Sequence, residues 1–195
     1  MRSMTKPRSW WIASLTACLL LAAYGMFSWF DRQADTTTRA PLAPPFRARV
    51  LRPAPSAAVQ DAPWLTLEQY RGKIVLLNFW ASWCTTCRVE AHLLNRLQAE
   101  YGSATFVLLG LATSDNPQHV VTAARTLAHQ YLIAFDSDGA IARRFGVSSL
   151  PQTFLIDAAG RIRYHLQGPL QDSNLHGLTQ VIRQVQGRNE NRNSR

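Results

Sequence analysis

Two cysteines, Cys84 and Cys87, lie three residues apart where an apolar run gives way to a helix-like stretch. The run, Ile74–Trp80, has the unbroken apolar character of a buried strand. Two cysteines at this spacing on the first turn of a helix can close into a small disulfide, and the positive end of the helix dipole favours a thiolate on the first of them. The pair therefore indicates reversible thiol–disulfide exchange.

Other uses of a cysteine pair have less support from the residues. Structural zinc requires about four ligands, and beyond the pair the nearest candidate is His92 on the same predicted helix, so we predict no metal site of that kind. A structural disulfide across three residues closes too small a loop to add much stability. Two soft thiolates can also hold Cu(I), and a copper-binding thiol module stays an alternative.

A long uncharged segment, Trp10–Phe30, follows three basic residues at the N-terminus. As a helix it would be about 30 Å long, enough to cross the hydrocarbon core of a bilayer. The preceding bases Arg2, Lys6 and Arg8 place the N-terminus in the cytoplasm by the positive-inside rule. We therefore predict a cytoplasmic stretch over 1–9, a single-pass inner-membrane anchor over 10–30, and the remaining chain on the periplasmic side.

Two alternatives to an uncleaved anchor are a signal peptide and a lipoprotein. A cleaved signal peptide would have a shorter apolar core and a small-x-small cleavage site. The segment Leu15–Cys18 resembles a lipoprotein box, but the apolar run continues well past Cys18. If the anchor is kept, one cysteine pair remains in the outer domain, which suits a redox pair better than a disulfide framework.

The net charge of +9 is concentrated at the two ends of the chain. Residues 1–60 carry +6, residues 61–185 carry +1 and residues 186–195 carry +2. The predicted folded part is nearly neutral, so the sequence offers no support for nucleic-acid binding.

Hydrophobic patterning predicts strands alternating with helices, then a hairpin and a closing helix, which describes a mixed sheet with helices on both faces. Strands are predicted over 46–51, 74–80, 106–112, 132–135, 153–156 and 162–167. Helices are predicted over 84–101, 117–130, 139–145 and 172–186, with a short helix or turn over 64–70. The predicted organisation is a Pro-rich linker over 31–60, a folded domain over 61–186 and a disordered basic tail over 187–195.

Two segments resemble the signatures of thioredoxin-like proteins. Trp80–Glu90 is similar to their active-site segment, and Phe145–Asp157 is similar to the cis-proline loop that faces the disulfide. The resemblance covers roughly 43–185 and is strongest to the membrane-anchored, outward-facing reductases of the TlpA/ResA/CcmG (DsbE) group, which share an insert like 113–137. It implies an α/β thioredoxin-like fold, a mixed central sheet flanked by helices, and no cofactor.

The resemblance also implies how the dithiol would act. Cys84, at the helix start, would attack a substrate sulfur or be attacked, and Cys87 would resolve the mixed disulfide. Glu90, three residues after the second cysteine, corresponds to a partly buried acid whose raised pKa suits proton transfer. The alternative for Glu90 is a solvated helix charge.

Three further residues are implied in substrate binding. Pro151 corresponds to the cis-proline, whose missing N–H and fixed turn leave neighbouring backbone free to pair with an extended substrate, and Leu150 precedes it. Trp83 would shape the surface beside Cys84. Core packing is the alternative for Trp83, and an ordinary strand-start proline is the alternative for Pro151.

Two positions depart from the family pattern. Asn78 stands where thioredoxins carry a buried Asp, and Thr85-Thr86 stands where a proline is common between the cysteines. For this two-electron couple about 30 mV corresponds to about 1.4 kcal/mol, so one altered hydrogen bond can change the preferred direction of electron flow. An oxidase or isomerase of the same fold therefore stays an alternative.

The predicted function is that of a periplasmic thiol–disulfide oxidoreductase that reduces disulfides of secreted proteins. The resemblance names the haem-binding cysteines of apocytochrome c as a candidate substrate, in cytochrome c-type biogenesis. It also implies a transmembrane thiol donor, because the outer compartment is oxidising. A redox-silent interaction domain is the alternative from a different class.

Overall fold

The computed structural model describes residues 40–52 and 62–193, together with Leu21, Ala22, Tyr24 and Met26. Those four residues are helical and exposed. The predicted stretch over 1–9, and the predicted anchor over 10–30 apart from these four positions, lie outside the described residues. Within the described residues, no helix combines the length and the apolar character needed to cross a bilayer.

The domain that begins at Pro41 alternates strands and helices. Its strands are β1 (Arg47–Arg52), β2 (Trp64–Thr66), β3 (Ile74–Trp80), β4 (Phe106–Thr113), β5 (Leu132–Asp136), β6 (Gln152–Ile156) and β7 (Ile162–Gln167). Its helices are α1 (Thr85–Tyr101), α2 (Pro117–Thr126), α3 (Ala140–Arg144) and α4 (Asp172–Asn193). A 3-10 turn, Leu67–Tyr70, follows β2.

The described strands form one mixed sheet in the order β2-β1-β5-β4-β3-β6-β7. β3, β4 and β5 are parallel neighbours, whereas β6 and β7 on one side and β1 and β2 on the other are antiparallel. Every residue of β3 is buried, which explains its unbroken apolar run, because both of its edges are paired and both of its faces are covered. The predicted α/β fold with a mixed sheet and flanking helices is confirmed.

The two faces of the sheet carry separate cores. Leu76 and Trp80 of β3 belong to the core formed with α1, α2 and α4. Leu77 and Phe79, which alternate with them, belong to the core formed with β1 and α3. Successive side chains of a strand point to opposite faces, so β3 holds both layers of the domain together and fixes the position of the helix that follows it.

Helix α1 starts at the cysteines and ends beside a glycine. Cys84 is its N-cap residue, and Gly102 follows its last turn. One face of α1 is buried, and it contains an acidic residue, Glu90, among apolar side chains. The amphipathic pattern therefore places the second cysteine and the acid on the side of the helix that faces the core.

The boundaries of the domain differ from the sequence-based expectation at both ends. The linker predicted over 31–60 would leave residues 41–52 outside the fold, but Leu42 bridges Arg161 and β1 lies between β2 and β5. The strand predicted over 46–51 is therefore β1 of the domain rather than part of a linker, and one of the partners it pairs with, β5, is distant in the chain. At the other end α4 continues to Asn193, through residues for which the sequence predicts a disordered tail.

Two shorter elements also differ from the expectation. The segment predicted as a short helix or turn over 64–70 contains the edge strand β2 before its 3-10 turn. Helix α2 ends at Thr126, four residues earlier than predicted. The remaining predicted strands and helices lie within one residue or two of their observed bounds, except for the longer α4.

Candidate active site

Cys84 and Cys87 are joined by a disulfide at the N-terminus of α1. The sulfur of Cys84 accepts a hydrogen bond of 3.2 Å from the backbone N–H of Cys87. Cys84 is 6% exposed and Cys87 is 3% exposed, so Cys84 offers the larger target to an incoming sulfur. The same backbone donor and the helix dipole would stabilise a thiolate on Cys84 after reduction.

The dipeptide between the cysteines contributes a polar group to the disulfide. The hydroxyl oxygen of Thr86 lies 3.4 Å from the sulfur of Cys84, within hydrogen-bonding range for sulfur. Thr85 is exposed, and among the described residues its side chain forms no hydrogen bond with either sulfur. A proline at position 86 would have no hydroxyl, so the departure from the family pattern adds a donor beside Cys84.

Glu90 follows Cys87 by three residues on the buried face of α1 and is 1% exposed. Its Oε1 accepts a hydrogen bond of 2.9 Å from the Asn78 amide, and its Oε2 accepts one of 2.6 Å from the Leu170 N–H. Burial raises the pKa of Glu90 to about 7, although these two donors oppose that rise. A solvated helix charge is thereby excluded, and the carboxyl group exchanges its proton near neutral pH.

Asn78 connects the acid to the strand of the cis-proline loop. Its amide nitrogen also donates to the hydroxyl of Thr153 at 3.1 Å, and Asn78 and Thr153 are directly opposite each other on β3 and β6. The neutral amide, at the position where thioredoxins carry a buried Asp, thus donates to Glu90. The ionisable group of this pair is therefore on the helix, three residues from Cys87, a spacing at which side chains are neighbours on a helix surface.

The cis-proline loop lies beside the cysteine loop at the same end of the sheet. Phe79 of β3 pairs with Gln152 of β6, so the residues that follow β3 and the residues that precede β6 emerge next to each other. The Leu150–Pro151 peptide bond is cis. Leu150 packs against the core cluster that contains both cysteines, which brings these two sequence-predicted segments together.

A glutamine and a histidine that the sequence did not single out hold the cis-proline loop. The buried Gln152 donates to the Ser149 carbonyl at 3.1 Å through Nε2, and its Oε1 lies 2.8 Å from His165 Nε2. His165 is therefore the donor in that pair, and its ring stacks on Phe154 at 4.1 Å between centroids. Desolvation lowers the pKa of His165, which favours the neutral ring that this stacking and hydrogen bond accommodate.

Trp83 is held at the surface rather than in the core. It is 63% exposed, and its indole N–H donates to the Ser114 carbonyl at 3.3 Å. The preceding residue, Ser82, donates to the Asp115 carboxylate through its backbone N–H at 2.5 Å and its hydroxyl at 3.0 Å. The loop after β4 therefore fixes the residues that lead into Cys84, and the core-packing alternative for Trp83 is excluded.

The contact that Asp115 makes with Ser82 has no counterpart in the sequence-based expectation, which predicts a helix over 117–130 and assigns no role to Asp115. In the structure the cap is Asn116, whose side chain accepts from the N–H groups of Gln118 and His119, and Pro117 follows it. This leaves the Asp115 carboxylate available for Ser82. The sequence does carry a signal for this contact: Asp115 and Asn116 can both cap a helix, and α2 uses only Asn116 as its cap.

A groove of about 220 Å³ opens next to Trp83, the residue that precedes Cys84. It is lined by side chains from the cysteine loop, the loop after β4, helix α3 and the cis-proline loop, among them Trp83, Ala142, Arg143, Ser149 and Leu150. Ligand pockets for cofactor-sized molecules measure roughly 300–1,000 Å³, so this groove is suited to one or two side chains of a polypeptide. Within the described residues, no cluster of three or more His, Cys, Asp or Glu side chains is placed to hold a metal ion.

Curated relatives of this chain include thiol:disulfide interchange proteins named DsbE. The thiol:disulfide interchange protein DsbE of Yersinia pestis is 36% identical over 131 residues, which cover 64% of this chain and 68% of that protein. DsbE of Escherichia coli (strain K12) is 41% identical over 101 residues, which cover 51% of this chain and 52% of that protein. The chain thus matches about half to two thirds of the length of these two relatives.

The fold has matches among solved structures. A thiol:disulfide interchange protein of the thioredoxin family from Chlorobium tepidum TLS superposes with a TM-score of 0.61 at 22% identity, covering 75% of this chain and 97% of that chain. This likeness concerns the fold alone. The AhpC/TSA family profile matches residues 50–165, more than half of the sequence. The chain belongs to the AhpC/TSA family and carries a thioredoxin-like thiol–disulfide oxidoreductase domain.

Proposed function

We propose that this chain reduces disulfide bonds of proteins outside the cytoplasm, with Cys84 as the nucleophile and Cys87 as the resolving thiol. The observation that carries the proposal is the disulfide at the start of α1, with the more exposed Cys84 beside the cis-Pro151 loop. The dipole of α1 and the Cys87 N–H favour the thiolate form of the attacking residue. The relatives named DsbE support the same chemistry.

Reduction proceeds through one mixed disulfide. The Cys84 thiolate attacks one substrate sulfur, forms a Cys84–substrate bond and releases a substrate thiolate. Cys87 then attacks the Cys84 sulfur, which restores the Cys84–Cys87 disulfide and releases the second substrate thiolate. Two electrons pass to the substrate, and two protons complete its thiols. A dithiol donor must return two electrons and two protons before the next cycle.

Glu90 is proposed to accept the proton that Cys87 loses before it attacks. The two residues lie three apart on α1, and side chains at that spacing are about 5–6 Å apart at Cβ. A base is effective when its pKa lies near the working pH, and burial brings the pKa of Glu90 to about 7. Asn78 and Leu170 hold the carboxylate by one oxygen each, so its orientation is fixed.

The substrate segment is proposed to lie along the cis-proline loop, with Trp83 and Leu150 as its apolar contacts. Both side chains line the groove of about 220 Å³. The haem-binding cysteines of apocytochrome c are the proposed substrate. The DsbE name of the relatives supports this proposal. We further propose the anchor over 10–30 as the inner-membrane attachment, the periplasm as the compartment, and a membrane-embedded dithiol protein as the donor.

The direction of electron flow is tested by the reduction potential of the purified full chain, equilibrated with glutathione buffers in detergent. A Cys18→Ala background removes the third cysteine. We expect a potential near that of thioredoxin, about −270 mV. A value near the roughly −120 mV of strong oxidants would overturn the reductase direction and favour the oxidase alternative, which the Thr86 hydroxyl beside Cys84 supports.

The substrate is tested by trapping in cells. Cys87→Ala should accumulate mixed disulfides through Cys84, because the resolving thiol is missing. The matched control is Cys84→Ser/Cys87→Ala, which should trap nothing. Recovery of an apocytochrome c by the single variant supports the proposed substrate. Recovery of other exported thiol proteins alone would replace it, and recovery of none from either strain would contradict a substrate-reducing role.

A further inference from the structure

The groove next to Trp83 has one charged side chain in its lining as far as the structure describes it. Arg143 of α3 lines the groove together with Trp83 and Leu150, and none of the described Asp or Glu residues lines it. The Nη1 of Arg143 donates to the Asp138 carbonyl at 2.8 Å, which fixes one terminal nitrogen of the guanidinium. The described ion pairs do not include Arg143.

The guanidinium lies close to the groups that fix Trp83. A Cβ built on Gly139 would lie 3.4 Å from Arg143 Nη1 and 2.7 Å from the Ser114 hydroxyl oxygen, so these two groups flank the same glycine. The Ser114 carbonyl in turn accepts the Trp83 indole N–H. A positive charge and an exposed aromatic side chain therefore line the same groove.

The nearest carboxylates are committed to other partners. Asp115 accepts from Ser82 and from the N–H of Asn116. Asp136 is buried and accepts from the Thr113 hydroxyl and from the first N–H groups of α3. The carboxylate of Asp138 accepts the Ala140 N–H. Arg143 therefore places a positive charge in the groove, where a carboxylate of a bound polypeptide can approach it.

We propose that the groove selects substrate disulfides by an acidic side chain close to the reactive cysteine, and that Arg143 is the residue that determines this specificity. The occupant is an extended polypeptide segment with an apolar side chain against Trp83 and Leu150 and an Asp or Glu facing Arg143. The groove volume of about 220 Å³ admits side chains of this size. The inference rests on the proposed disulfide-reducing function and specifies its substrate class.

The test uses the full chain, reduced beforehand, and three peptides that share one intramolecular disulfide and one apolar residue beside the attacked cysteine. The next residue is Glu, Gln or Lys. Because exposed ion pairs contribute about 0.2–1 kcal/mol, we expect the Glu peptide to have a kcat/KM about 1.4- to fivefold above the Gln peptide, with the Lys peptide lowest. The differences should shrink in roughly 0.5 M salt, where charges on an exposed groove are screened.

A matched pair of neighbouring arginines provides the control. Arg143→Glu should invert the preference, so that the Lys peptide becomes the best substrate, and Arg143→Gln should abolish it. Arg144→Glu changes the net charge by the same amount, but Arg144 does not line the groove and contacts the Pro45 and Ala140 carbonyls instead. The Arg144→Glu variant should therefore keep the peptide preference of the wild type.

The outcomes separate this inference from the function it rests on. If no peptide is reduced by the wild type, the disulfide-reducing function itself fails. If all three are reduced with equal kcat/KM, or if Arg144→Glu alters the preference as strongly as Arg143→Glu, the function stands and the role of Arg143 is overturned. The Gln variant keeps the long side chain at position 143, so its loss of preference reports the charge rather than a folding defect.

Discussion

The carboxylate of Asp115 accepts two hydrogen bonds from Ser82, one from the backbone N–H at 2.5 Å and one from the hydroxyl at 3.0 Å. The two residues are 33 positions apart in the chain. Ser82 is followed by Trp83 and Cys84 in the chain. The loop that contains Asp115 carries no reacting group, but through Ser82 it fixes the position of the proposed substrate surface at Trp83. Rigid support of this kind is what holds a binding surface in its productive geometry.

Asp115→Ala should raise the KM for a protein disulfide about three- to tenfold while leaving kcat nearly unchanged, since Trp83 would lose its fixed position but the dithiol would not change. Steady-state kinetics with one substrate checks the split between the two constants. The control is Asp138→Ala, which removes an acid from a neighbouring loop without touching Ser82. An equal change in both variants would argue against a specific role for Asp115.

Thr86→Val should make the reduction potential about 10–30 mV more negative. The hydroxyl lies 3.4 Å from the Cys84 sulfur and stabilises a thiolate there, so its removal disfavours the reduced form by the roughly 0.5–1.5 kcal/mol of one hydrogen bond. Redox titration against glutathione measures the shift. Thr85→Val is the matched control and should leave the potential unchanged, because among the described residues the Thr85 side chain forms no hydrogen bond with either sulfur.

The stability of the oxidised protein should fall as pH rises, because of Glu90. Its pKa is about 7 in the folded protein and 4.5 in an unperturbed chain, so the folded state binds more protons between these values. The contribution of Glu90 to the free energy of unfolding is therefore fully present below about pH 4.5. It decreases by about 3 kcal/mol in total as the pH rises to about 7. Urea unfolding across this range measures it.

Glu90→Gln is the control for this pH dependence. The variant has no ionisable group at the position, so its free energy of unfolding should lack the decline of about 3 kcal/mol that is attributed to Glu90. If the variant declines as steeply as the wild type, another group is responsible and the assignment to Glu90 is wrong.

Gln152→Leu should lower kcat/KM by about threefold to tenfold without moving the reduction potential. The substitution removes the hydrogen bonds that link His165 and the Ser149 carbonyl, and the substrate-binding loop before Pro151 then loses its support. Parallel measurements of peptide reduction and of the glutathione equilibrium constant separate the two effects. A shift of the potential as large as the one expected for Thr86→Val would contradict a role confined to the loop.

The centre of the fold could be predicted from local pattern. The run Ile74–Trp80 is buried on both faces, and the helical spacing after Cys84 has its counterpart in α1. The hairpin of β6 and β7 is indicated by the turn residues Asp157–Gly160, and Asp157 accepts the N–H of Ala159 and of Arg161. In each of these cases the determining contacts are close in sequence.

The parts that escaped prediction depend on contacts between distant residues. The strand β1 is predicted over 46–51 from local pattern, but its pairing with β5 more than eighty residues later is not. Asp115, Gln152 and His165 belong to ordinary residue types, and only the fold brings them to Ser82 and to Ser149. Burial of Glu90 is implied by resemblance, whereas its partner Leu170 lies 80 positions away.

The contact between Asn78 and Glu90 limits how this sequence can change over evolutionary time. With side chains 2.9 Å apart in a buried site, an acid at both positions would place two carboxylates where they must share a proton. A neutral residue at both would leave the pair without an acid. Moving the acid from one position to the other by single substitutions therefore requires an intermediate with either two acids or none. Because both intermediates are unfavourable, we expect Asn78 and Glu90 to change only together.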